Sequence, residues 1–200
     1  MNHLSNGGRA PANRHDLDAI ARVVTTGARV LDLGCGDGAL LSKLVTAKKV
    51  IARGVELSEV NVRACIARGL SVRQGNIEEG LADYRDNAFD YVILSQTVAF
   101  LDKPEPVVRE MLRVGRFGIV SFENAGCWKE RWRAVRGSGV GNELCSGEPR
   151  MRSITLGQFA RFTECVGARI ESAIWLTETR QVSNFASLLA SVAVYVLART

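Results

Sequence analysis

The sequence predicts an α/β fold, a single domain on a doubly wound, mostly parallel seven-stranded sheet. Three observations predict it. Apolar runs alternate with helix-like patterns at the spacing of βαβ units, which places helices on both faces of a parallel sheet. The first of those runs, Arg29–Leu33, leads through Gly34-Cys35-Gly36-Asp37-Gly38 into a helical pattern, an order that lets the backbone approach a ligand closely. At 200 residues and 46% hydrophobic content, the chain suffices for one sizeable core but not two.

Residues 13–24 read as an opening helix behind a polar, Gly- and Asn-containing segment, so 1–12 is expected to be a flexible N-terminus and 13–200 the domain. The first strand is followed by a helix over 39–45, a strand over 53–57, and a helix that Ser58 can cap and Gly69 terminates. Strands over 70–74 and 89–94 come next, then a helix from Pro104 to Val114 with proline in its first turn and Gly115 behind it. A fifth strand covers 117–122. Regular patterning then stops over 123–153, a stretch rich in Gly, Arg and Trp, and loops this long inside a compact domain tend to be functional or disordered. Thr155-Leu-Gly-Gln158 is a capping-box signature that opens a helix to Val166. Two last strands, 168–176 and 188–197, have no helical pattern between them, which predicts an antiparallel hairpin closing the sheet.

The bulk numbers exclude several classes of function. The longest apolar stretch, 187–198, falls short of the roughly 20 residues that cross a bilayer, so no membrane association is expected. The N-terminus lacks a charged-then-apolar signal pattern, which makes the cytoplasm the expected location. Five widely spaced cysteines without C-x-x-C argue against a disulfide framework or a zinc site, so no metal is expected. The net charge of +5 sits wholly between Arg109 and Arg169, where 11 Lys/Arg face 6 Asp/Glu. Such a face suits water, an acidic partner or nucleic acid; the last is not expected, because within 123–153 only Trp128 and Trp132 interleave the arginines and no binding module is recognisable.

The glycine loop admits two ligands. Gly34-x-Gly36-x-x-Ala39 fits the relaxed dinucleotide pattern, with Glu56 twenty residues beyond Gly36. The acids decide between them. Asp32 before the loop and Asp37 inside it would repel a pyrophosphate, whereas both suit the ammonium and sulfonium charges of S-adenosylmethionine. Glu56, with Leu57 beside it, ends the second strand and can accept from both ribose hydroxyls. Asn76 and Ile77 follow the third strand, where an adenine edge would lie; an ordinary Asn-containing turn explains them equally well. Ser95, Gln96 and Thr97 close the fourth strand with groups suited to orienting a ligand.

These residues resemble a known family. Arg29-Val-Leu-Asp-Leu-Gly-Cys-Gly-Asp-Gly38 and Phe89-Asp-Tyr-Val-Ile-Leu-Ser-Gln-Thr97 are similar to the first and fourth-strand motifs of class I S-adenosylmethionine-dependent methyltransferases. More narrowly, His15-Asp-Leu-Asp-Ala-Ile-Ala21, Arg53-Gly-Val-Glu-Leu57, Glu78-Glu-Gly-Leu-Ala-Asp83 and Glu110-Met-Leu-Arg-Val-Gly115 resemble the methionine-biosynthesis family MetW. The likeness implies a Rossmann-like sheet of order 3-2-1-4-5-7-6 and S-adenosylmethionine or S-adenosylhomocysteine as cofactor. It implies contacts from Asp32, Gly34, Gly36, Glu56 and Asn76, although the family's superclass has an acid where this chain has Asn76. It further implies a homoserine O-acyltransferase as partner. The match thins after Phe122, where the family tends to read Phe-Pro-Asn-x-Gly-His-Trp and this chain reads Phe-Glu-Asn-Ala-Gly-Cys-Trp.

Two functions follow as expectations: a ligand-binding partner subunit of methionine biosynthesis, or a working methyltransferase on a small acceptor. No catalytic residue is assigned, because the only histidines, His3 and His15, precede the first strand. The 124–152 stretch is expected to be a contact surface; the competing expectation is a helical turn whose Trp128 and Trp132, four apart, cover the core.

Overall fold

A computed structural model describes residues 14–135, 152–177 and 180–200, with only the backbone described for 133–135. The expected flexible N-terminus, 1–12, lies outside the described residues, as does most of the irregular stretch. Among the described residues no helix is long and apolar enough to cross a membrane.

The helices are α1 (His15–Val23), α2 (Ala39–Lys48), α3 (Glu59–Ala67), α4 (Pro104–Val114), α5 (Trp128–Val135), α6 (Leu156–Cys165) and α7 (Ala186–Leu189). The strands are β1 (Arg29–Leu33), β2 (Ile51–Glu56), β3 (Val72–Gln74), β4 (Phe89–Ser95), β5 (Gly115–Glu123), β6 (Ala168–Leu176), β7 (Gln181–Val182) and β8 (Val192–Arg199). They form one sheet of order β3-β2-β1-β4-β5-β8-β6-β7. The first five strands run parallel, and β8 enters antiparallel between β5 and β6.

Alternation along the central strands explains the layering. On β4, Val92 and Leu94 join Met111 and Leu112 of α4, while Tyr91 and Ile93 join Ile20 of α1 and Leu44 of α2. Both faces are therefore dry, as a parallel sheet requires. The α6 end is held by Phe159, whose ring lies 4.7 Å from Phe122 and 4.8 Å from Tyr195. Burying a ring of that size contributes about 2–3 kcal/mol.

The structure adds three elements to the seven-stranded expectation. An eighth strand, β7, pairs only Trp175↔Val182 and Leu176↔Gln181, too few residues to carry a periodic signal. The short helix α7 occupies 186–189, so the last strand begins at Val192 rather than 188; Leu188 and Leu189, which read as strand, are partly exposed on that turn. Helix α5 forms where the competing expectation put a helical turn. Its Trp128 and Trp132 are 50% and 54% exposed, so the tryptophans do not cover the core.

The capping box at α6 forms as read: Thr155 Oγ1 accepts the Gln158 amide at 3.3 Å, and Gln158 Oε1 accepts the Thr155 amide at 3.0 Å. Thr155→Ala is expected to cost about 1 kcal/mol. Urea denaturation checks this, and an unmoved midpoint would remove the cap from the account.

Candidate functional site

The site lies at the carboxyl ends of β1, β2, β4 and β5, where the chain leaves the sheet into the glycine loop. Gly34 takes φ +74°, and a Cβ there would stand 2.8 Å from Thr97 Oγ1 and Cγ2. Only glycine lets the loop pass under the β4 turn. At Gly36 a Cβ would meet nothing within 4 Å, so the loop's crest faces open space.

Glu56 fixes that crest. Its Oε2 accepts the Gly36 amide at 2.8 Å and its Oε1 the Ser58 amide at 2.9 Å, although the residue is 8% exposed. Each carboxylate oxygen keeps a second lone pair, so accepting from a ribose diol remains chemically open. Leu57 follows, 63% exposed, as an apolar wall beside Glu56.

Asp32 sits on β1 between Gly54 of β2 and Ile93 of β4, 2% exposed. Its Oδ1 is buried without a hydrogen-bond partner. Burial pushes its carboxyl up to about 7; Arg14 pulls against that rise and Glu56 adds to it. An enclosed acid with an orphaned oxygen is a receptor for a donor, preferably a cationic one.

The other expected residues sort differently. Asp37 is 55% exposed; it accepts the Ala39 amide at 3.2 Å and ion-pairs Arg68 at 3.0 Å, so part of its charge is already compensated. Cys35 is buried with Cys65 and Leu41 beneath the loop, and Cys65 Sγ donates to Gly36 O at 3.2 Å. Burial pushes the Cys35 thiol far above its ordinary value. Gly38 ends the loop at φ +79° and caps α2. Asn76 Oδ1 accepts the Glu78 amide at 3.0 Å and caps a 3-10 turn over Ile77–Glu79, while Ile77 packs into the core. The Asn-containing turn is thus present, and its amide nitrogen is the part left for a ligand edge.

Ser95 belongs to a network the sequence reading missed. Asp16, 3% exposed, accepts from Arg14 Nε at 3.1 Å, Ser95 Oγ at 3.2 Å, Ser121 Oγ at 3.4 Å and Gln96 Nε2 at 3.5 Å. It joins the start of α1 to the ends of β4 and β5. A signal existed: Asp16 shares a helical face with the buried Ala19 and Ile20, an acid on an apolar stripe.

The enclosed Asp32, with its orphaned oxygen, suits the cationic end of an adenosyl amino acid better than a pyrophosphate. Comparison with known proteins places the chain in a family. The family model described as methionine biosynthesis protein MetW matches residues 14–197. The chain belongs to the MetW family. This MetW-family chain is 36% identical over 119 residues to the bifunctional methionine biosynthesis protein MetXA/MetW of Rhodopirellula baltica, covering 54% of this chain and 19% of that protein. It thus spans about a fifth of that relative's length. A Thermotoga maritima S-adenosylmethionine-dependent methyltransferase superposes with a TM-score of 0.69 at 18% identity, covering 92% of this chain and 87% of that one. The magnesium protoporphyrin IX methyltransferase of Synechocystis, solved with S-adenosylhomocysteine, gives 0.69 at 14% identity over 94% and 84%. The MetW-family fold is that of class I S-adenosylmethionine-dependent methyltransferases.

Proposed function

We propose that the chain binds S-adenosylmethionine or S-adenosylhomocysteine and serves methionine biosynthesis as the cofactor-binding partner of a homoserine O-acyltransferase. The observation that carries the ligand is the orphaned Oδ1 of the enclosed Asp32, one strand from Glu56. An amino-acid ammonium would satisfy Asp32, a ribose diol would complete Glu56, and adenine would lie between Leu57 and Asn76. Gly34, Cys35, Gly36 and Gly38 shape the loop's backbone, and Asp37 anchors it to α3. Calorimetric titration tests this: S-adenosylmethionine should bind and raise the melting temperature. Tighter binding of a nicotinamide dinucleotide would overturn the ligand.

The partner rests on the Rhodopirellula relative, whose name joins MetXA and MetW functions in one chain. Helix α5 is the surface we assign to that contact, since exposed tryptophans beside an arginine are the residue types that anchor interfaces. Trp128→Ser combined with Arg131→Ser should weaken association with the acyltransferase by about tenfold or more while leaving S-adenosylmethionine affinity unchanged. Surface plasmon resonance with the purified acyltransferase reads both arms. Undiminished association would remove α5 from the interface.

A second reading, methyl transfer to a small acceptor, is favoured by the Asp16 network. An amine or hydroxyl seated against Ser95 and Gln96 would lie beside a carboxylate able to take its proton. Single-turnover assays over small amines and alcohols, with Asp16→Asn as control, separate this reading from the first.

A further inference from the structure

The outer flank of α1 borders an open cleft of about 420 Å³ between that helix, the end of α2 and the β6–β7 edge. It does not open on the glycine loop. His15, Arg22, Lys48 and Arg180 line it, over an apolar floor that includes Ala21 and the buried Leu176. Among its described lining residues the acid is Asp18, whose ion pair with Lys43, with the charges of Arg22 and His15 beyond it, holds its carboxyl below the ordinary range. Among the described residues, the side chains of Arg22, Lys48 and Arg180 form no ion pair. His15 Nε2, on the same wall, is buried without a hydrogen-bond partner.

We infer that this cleft is a second ligand site, one that takes a small organic phosphate. Three cations and a ring nitrogen line one space, and among the described residues the acid there already has Lys43 as its partner. A carboxylate brings one charge and two oxygens, and would leave two of the cations uncompensated. A phosphate monoester brings nearly two charges and three strong acceptor oxygens, enough to meet the guanidinium groups, the ammonium and His15 together. The volume exceeds that of a bare phosphate and matches a small-molecule pocket, and Leu176 with Ala21 offers the organic part an apolar surface. The residues involved are separate from Asp32, Glu56 and the glycine loop, so this site stands or falls independently of the cofactor proposal.

The test uses the purified full chain with ribose 5-phosphate, inorganic phosphate and citrate as probes, titrated by calorimetry at matched ionic strength. Ribose 5-phosphate should bind saturably and more tightly than inorganic phosphate. Lys48→Ser with Arg180→Ser should weaken it at least tenfold, and His15→Phe should weaken it separately, with circular dichroism unchanged and S-adenosylmethionine affinity preserved. Citrate binding as tightly as ribose 5-phosphate would overturn the phosphate assignment in favour of a general anion patch. Absence of saturable binding to the wild-type chain, or equal binding by the double variant, would overturn the site.

Discussion

Glu56→Gln should abolish the preference of the chain for adenosine over 2′-deoxyadenosine and lower S-adenosylmethionine affinity by about two orders of magnitude, the worth of one or two charge-assisted hydrogen bonds. The carboxylate has two duties. It accepts the Gly36 and Ser58 amides and, under the proposed function, the ribose hydroxyls. Glutamine keeps the shape but turns an NH₂ toward one of those amides, so the loop loosens as well, at a stability cost of about 1–3 kcal/mol. A fall in affinity alone would not separate the two duties. The deoxy comparison does, because a displaced loop weakens both nucleosides whereas a lost ribose contact equalises them. If the variant still prefers adenosine over its deoxy form, Glu56 is a loop anchor and no ligand contact.

Asp32→Asn should move stability and affinity in opposite directions. Burial holds the Asp32 carboxyl near 7, above the ordinary carboxylate value of about 4, so the folded unliganded chain keeps a proton that the unfolded chain releases. Its destabilising effect is absent below about pH 4, grows as pH rises toward 7 and is complete above that, on the order of 4 kcal/mol before relaxation. The asparagine variant has no charge to bury. It should be the more stable form at pH 8, and its loss of stability between pH 4 and 7 should be shallower. Yet it should bind S-adenosylmethionine at least tenfold more weakly, with adenosine little affected, because the ammonium loses its counter-charge. Wild-type binding should release protons near pH 7, visible as a dependence of the calorimetric heat on buffer ionisation enthalpy. Equal weakening of both ligands would make Asp32 a prop for the loop and defeat the charge argument.

Much of the fold was legible because local and long-range signals coincide in it. Arg29–Leu33, Pro104–Val114 and Ala168–Leu176 fall where the sequence put them, each bounded by a glycine or proline that the fold also needs. Helix α5 was legible only in the four-residue spacing of Trp128 and Trp132; its tryptophans face solvent, so the core imprints no apolar stripe on it. The start of β8 was blurred because the turn at Ala186–Leu189 is as apolar as the strand it precedes. The site divides along the same line. The glycines and Glu56 are readable from spacing. Asp16 was hidden, since an acid in a first helical turn reads as ordinary dipole compensation and its partners Ser95 and Ser121 lie 79 and 105 residues away. The ion pair of Asp37 was hidden for the same reason, its partner Arg68 standing 31 residues off at the end of α3.

The thiols packed beneath the glycine loop bear on how the protein withstands oxidants and alkylating reagents. Cys35 and Cys65 lie side by side around the Gly36 carbonyl, and burial pushes the pKa of both thiols up, so neither readily supplies the thiolate that attacks peroxide, disulfide or maleimide. Cys165, by contrast, is exposed on the far side of the sheet's α6 layer. Among the described cysteines, a thiol-directed label should therefore settle on Cys165 and spare the two beneath the loop.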